Sequence, residues 1–104
     1  DVWKLEGMNR EEDYTLAVQQ ARVNGRDKVG IVVLGRAAEQ SVVENWLKVG
    51  AKVNGVIGFA VGRTIFWDAL TDFEHGKLNE REASQVISQN FMHFYNVFIE
   101  ARSL

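Results

Sequence analysis

Apolar positions along the chain fall into two rhythms. Short runs at VWKLE (2–6), VGIVVLG (29–35) and GVIGFAVG (55–62) are alternating or continuously apolar and rich in β-branched residues, which predicts strands Val2–Leu5, Val29–Leu34 and Val56–Val61. Between and after them apolar residues recur every three or four positions. Tyr14, Ala17, Val18 and Ala21 share one face of a first helix, and Val43, Trp46 and Leu47 one face of a second. Ala83, Val86, Ile87, Phe91, Phe94 and Phe98 form the stripe of a last helix. Asn9 with Glu12, Ser41 with Glu44, and Asn79 with Glu82 have the spacing of capping boxes, while Asn24-Gly25 and Gly50 read as helix stops. The stretch Arg63 to Phe73 is long enough for one extra short helix.

Three strand-then-helix units with short loops and no proline argue for an α/β fold with a parallel sheet, open or closed into a barrel. Three strands cannot close a barrel, and their edges would be bare. The chain also opens at DVWKLEG, without an initiator methionine and already inside a strand pattern. It therefore reads as one partial domain, residues 1–104, of a longer chain whose remaining strands lie upstream. Copies covering one another are the alternative.

Within the strands, side-chain parity sorts residues by face. Trp3 and Leu5 share one side of VWKLE and suit a helix-covered surface, so Lys4 and Glu6 belong to the opposite side. In the third strand Ile57, Phe59 and Val61 are expected beneath helices, with Gly58, Ala60 and Gly62 leaving space on the other face. The second and third strands both end in Gly-Arg: Gly35-Arg36 and Gly62-Arg63, the latter followed by Thr64 and the extra helix. Glycines let a backbone approach an anion closely, and a helix start offers unpaired N–H groups to it. The two strand ends therefore read as halves of a phosphate cup, against the alternative of two solvated arginines that merely follow a strand. Lys4 on the inner face of a barrel would be partly desolvated and able to attack a carbonyl. A frayed or edge position that lets it reach solvent is the competing reading. Glu6 is either a proton carrier or the counter-charge of Lys4. Trp46 and the aromatic series of the last helix read as core.

Composition narrows the partners. Apolar residues make up 46% and charged residues 25%, as in ordinary globular domains. A net charge of -2 without a basic run gives no general attraction for nucleic acid. No apolar run is long enough for a membrane span. The absence of cysteine rules out disulfides and thiolate metal sites and fits a reducing cytoplasm. His75 and His93 stand outside any metal-ligand spacing and read as surface or satisfied residues.

Taken together, DVWKLEG, VGIVVLGR and GVIGFAVGRTIFWDAL resemble the C-terminal half of a class I aldolase-type (βα)8 TIM barrel. The resemblance is closest to the aldolase domain of bacterial myo-inositol catabolism, assigned to 2-deoxy-5-keto-gluconate 6-phosphate cleavage and often fused behind a sugar kinase. More distantly the chain is similar to tagatose 1,6-bisphosphate aldolase, in which a KVE strand carries the Schiff-base lysine. The resemblance implies that the three strands are the sixth to eighth of a barrel, with Lys4 as imine-forming lysine and Glu6 following it. Gly35, Arg36, Gly62, Arg63 and Thr64 would bind the substrate phosphate. No metal or other cofactor would be required, and a homo-oligomer is compatible with it. With the first five strands absent, the fragment by itself should be inactive. The same residues also leave open a phosphosugar-sensing barrel, which does not need Lys4, and a phosphate-binding isomerase in which Lys4 acts electrostatically.

Overall fold

The computed structural model describes residues 1–103. Strand β1 (Val2–Glu6) leads to helix α1 (Glu11–Ala21), then β2 (Gly30–Leu34), α2 (Gln40–Ala51), β3 (Val56–Ala60), α3 (Arg63–Glu74) and α4 (Glu80–Arg102). The strands form one parallel sheet in the order β1-β2-β3, so the architecture is α/β. The extra helix is a full three turns.

All the tight packing lies on one face. Ile31, Val33 and Val56 are fully buried and share a core with Tyr14, Val18, Val43, Leu47, Ile65, Phe94 and Phe98; Trp3 and Leu5 pack against its margin. Phe59 stacks on Phe98 and Phe91 with ring centroids 6.0 and 5.8 Å apart, within the range of favourable aromatic pairs. Phe94 and Phe98 are core as expected, whereas Phe91 remains half exposed. Trp46 is partly buried and lies so close over Gly7 that a Cβ there would come within 2.1 Å of its ring. The opposite sheet face is uncovered: Val2, Lys4 and Glu6 are exposed on β1, and Ala60 on β3.

Three sequence expectations are corrected. Ile57 was expected beneath the helices but is 53% exposed, while Val56 is fully buried. Val56 pairs with Ile31 and Gly58 with Val32, so Ile57 is the extra residue of a β-bulge and parity shifts by one. Its side chain instead lies against Gly30, whose missing Cβ makes room for it. Asn9 does not cap α1: Arg10 holds the N-cap position, and the Asn9 side-chain oxygen accepts from Asn45 Nδ2 at 3.0 Å. Ser41 does not cap α2, because the helix begins earlier, after Glu39. Glu44 turns instead to Gln40 and to His93 Nε2, 2.5 Å away on α4. The third box is present. Asn79 Oδ1 accepts from the Glu82 amide at 2.8 Å, and Glu82 accepts from the Asn79 amide at 3.0 Å. After α1 the chain turns through Asn24 and Gly25, both at positive φ (62° and 77°), as the stop signal requires.

Candidate functional site

Because the three strands are parallel, their C-terminal ends lie at one pole of the sheet. Glu6, Gly35-Arg36 and Gly62-Arg63 are therefore brought to the same end of the molecule. Lys4 stands level with Val32, and Val32 with Gly58. Its position is thus about 10 Å of strand short of Gly35, on the face without helices. A Cβ at Gly58 would meet nothing within 4 Å, so the surface at this level of β3, beyond Val32, is open. The small residues of β3 leave space on the lysine face, as their alternation implied.

Tyr14 fixes the exit of β1. Its ring is fully buried beneath Gly50, its hydroxyl accepts from the Met8 amide at 2.9 Å and donates to the Trp46 carbonyl at 3.0 Å. Burial pushes the phenol above its ordinary pKa, against the opposing pull of the Met8 N–H. The segment immediately after Glu6 is thereby tied to α2.

The turn after β2 is built differently from the expectation. Neither Gly35 nor Gly62 has positive φ; Arg36 and Ala37 do, at 50° and 55°. Two successive non-glycine residues in the left-handed region cost about 1–2 kcal/mol each. Glycine at 35 serves packing instead, since a Cβ there would crowd Val61 at 3.1 Å. The Arg36 guanidinium donates to Glu6 at 3.0 Å. Glu6 is thus the partner of Arg36. Of the two roles expected for Glu6, its pairing as counter-charge of Lys4 is not what the structure shows.

The loop after β2 is strapped to α3 by Thr64 Oγ1, which donates to the Ala38 carbonyl at 2.6 Å. A hydroxyl has one proton to donate, so in this arrangement Thr64 has none for a phosphate. Between the two starts of α2 and α3 lies a cleft of about 400 Å³, walled by Ala37, Ala38, Glu39 and Gln40 on one side and Arg63, Thr64, Trp67 and Asp68 on the other. Its volume falls in the range of small-molecule sites. Each helix start leaves its first amides without intrahelical partners. Arg63, exposed at the first position of α3, forms no ion pair among the described residues. Of the five residues expected to hold phosphate, Arg63 and Thr64 line this cleft, while Gly35, Arg36 and Gly62 do not, the Arg36 side chain being turned to Glu6.

Glu39, Gln40, Trp67 and Asp68 were not anticipated as site residues. Trp67 and Asp68 follow Arg63 and Thr64 by four positions, which places the four on one side of a helix, a readable signal. Nothing local marks Glu39 or Gln40. With two carboxylates against one arginine, the cleft offers acceptors for hydroxyl groups as well as a cation for an anion. Among the described residues, no group of three or more His, Cys, Asp or Glu is placed to hold a metal ion, and no helix is long and apolar enough to cross a membrane.

Comparison with known proteins gives one family model, described as an uncharacterized protein conserved in bacteria (DUF2090), which matches residues 1–102. No curated protein and no solved structure matches. Since the matched span takes in every strand and helix above, from β1 to the end of α4, the chain belongs to the DUF2090 family.

Proposed function

We propose that this chain supplies the last three strands, and the extra helix after the eighth, of a (βα)8 barrel that cleaves a phosphorylated keto sugar through a lysine Schiff base. The observation that carries the reading is the placement of Lys4. It lies on the helix-free face of a parallel sheet, about 10 Å of strand from the pole where both arginine-bearing strand ends emerge. Parallel sheets are covered on both faces almost without exception. A bare second face carrying a lysine suits a barrel interior closed by further strands. If β2 and β3 are the seventh and eighth strands of such a barrel, the cleft between the loop after β2 and the start of α3 corresponds to its phosphate site, which supports the reading.

In this mechanism the Lys4 amine adds to the substrate ketone and water leaves. The resulting protonated imine accepts the electron pair of the breaking carbon–carbon bond, while a base takes the hydroxyl proton of the departing aldehyde. Arg63, the helix-start amides and, once freed, Arg36 anchor the phosphate and fix the carbonyl along the sheet. Asp68 and Glu39 accept from substrate hydroxyls. The remaining distance to Lys4 is bridged by the sugar carbons and the four-carbon stem of the lysine. Resemblance to the inositol-catabolic aldolase suggests 2-deoxy-5-keto-gluconate 6-phosphate as substrate, dihydroxyacetone phosphate as a product, a fused sugar kinase as neighbour and the cytoplasm as the setting.

One observation favours a second reading, a non-catalytic phosphosugar-binding domain that regulates an attached kinase: the one carboxylate that shares the Lys4 face of β1 at this pole, Glu6, is held by Arg36. Borohydride treatment of the intact protein with dihydroxyacetone phosphate separates the two. A reduced adduct on Lys4, located by peptide mass spectrometry and lost in Lys4→Ala, is the expected result. Phosphosugar binding without any adduct, and equally tight in Lys4→Ala, would leave the regulatory domain standing and remove the aldolase.

A further inference from the structure

We infer that Glu6 and the anionic ligand compete for Arg36, so that binding of the phosphate releases Glu6 beside Lys4. The inference rests on the phosphosugar reading of the site and adds to it a ligand-driven exchange of ion-pair partners.

Four observations point to it. The Arg36 guanidinium is bound to Glu6 at 3.0 Å, yet both side chains stay open to water, 65% and 54% exposed. Such pairs contribute little and are readily replaced. Arg36 and Ala37 are both left-handed at φ 50° and 55°, a conformation that side-chain-bearing residues leave at a gain once their contacts change. Ala37 already forms part of the cleft wall, and its neighbour Ala38 is strapped to Thr64. Rotation about the Arg36-Ala37 pair is therefore the available freedom, with the far side of the loop fixed. Finally, Glu6 follows Lys4 by two residues on the same exposed face, about 7 Å along the strand.

A phosphate ester carries up to two negative charges against the single charge of a carboxylate, and it accepts both arms of a guanidinium fork. It is thus the stronger claimant for Arg36. When Arg36 turns to the ligand, Glu6 loses its partner and becomes a free carboxylate next to the lysine ammonium. Once Lys4 has condensed with the ketone, the freed Glu6 carboxylate can take the hydroxyl proton of the departing aldehyde, the base that the cleavage step requires. In the empty protein Glu6 is held by Arg36, so this base becomes available only when a phosphorylated ligand is present. Arg36 acts in this scheme as a positioning residue for Glu6.

A double-mutant cycle on the intact protein reads the competition directly. Inorganic phosphate is titrated by calorimetry at fixed ionic strength into wild type, Glu6→Gln, Arg36→Gln and the double variant, each checked for unchanged circular dichroism. Removal of the competing carboxylate should tighten phosphate binding about two- to fivefold, the scale set by an exposed ion pair. Arg36→Gln should weaken binding, and adding Glu6→Gln to it should have no further effect. Equal tightening in both backgrounds would mean that Glu6 acts only through its general charge, and would overturn the exchange. Unchanged affinity in Glu6→Gln would do the same. Failure of all four proteins to bind phosphate would overturn both the exchange and the phosphate site. A normal Lys4 adduct alongside an uncoupled cycle would sink the exchange alone.

Discussion

Replacing Tyr14 by phenylalanine tests how the exit of β1 is held. The ring is fully buried and phenylalanine keeps its volume, so no cavity opens and the change isolates the hydroxyl. Two hydrogen bonds disappear, from the Met8 amide at 2.9 Å and to the Trp46 carbonyl at 3.0 Å. Each contributes about 1 kcal/mol net. The Trp46 carbonyl lies inside α2, where the helix ladder still serves it, so its loss is at the low end. Met8 N–H is half-buried and loses its acceptor, which adds part of a desolvation penalty. The sum is about 1.5–3 kcal/mol, and for a domain of this size a fall in Tm of roughly 6–20 °C. Urea titration should show a lower midpoint with an unchanged slope. Hydrogen exchange should show the Met8 amide losing protection beyond the global change. A loss below about 0.5 kcal/mol, with Met8 exchange unaltered, would refute the idea that this hydroxyl ties β1 to α2.

Two further outcomes are expected. Arg63→Ala should weaken binding of a phosphorylated substrate by about 1.5–3 kcal/mol, the scale of a contact to a charged group; unchanged affinity by calorimetry would remove Arg63 from the site. The hydrogen bond from His93, reinforced by Gln40, holds the Glu44 carboxyl below its ordinary 4.5. A depressed folded value stabilises the protein above the unfolded pKa and ceases to do so as pH falls through the folded one. Wild-type stability should accordingly drop more steeply than that of Glu44→Gln as urea midpoints are followed from about pH 5 down to pH 3. Parallel profiles would show that the α2–α4 link carries no such dependence.

Much of the fold could be read from local pattern. VWKLE assigned Lys4 to the face without helices, and Asn79 with Glu82 placed the start of α4, because both signals concern residues a few positions apart. The same capping spacing misled at Asn9 and Ser41, where the polar groups have other partners. Asn9 bonds to Asn45, and Glu44, the expected partner of Ser41, bonds to His93, 49 residues away. No short-range rule contains such partners. Ile57 was assigned to the wrong face because it is itself the bulged residue, so the alternation that holds at Phe59 and Val61 does not extend back through it. At the site, the shared pole of Arg36 and Arg63, with Lys4 further down the sheet, follows from parallel topology and was foreseeable. The Glu6–Arg36 pair, the left-handed turn at Arg36-Ala37 and the hydroxyl strap from Thr64 depend on how two loops meet in space, which residue spacing does not encode.

Far from the cleft, three strand beginnings are fastened by main-chain contacts: Arg22 Nε donates to Val29 O, Gly30 N to Asp1 O, and Arg102 to the carbonyls of Ala51 and Val56 while its guanidinium rests on the Phe98 ring. Two of these anchors are arginines gripping backbone and the third is backbone to backbone, so all are indifferent to the identity of the side chains they hold. The molecule consequently keeps these anchors at one end of the sheet and the two Gly-Arg strand ends at the other. A change in the loops bearing Arg36 and Arg63 therefore leaves untouched the contacts on which the other end of the sheet stands.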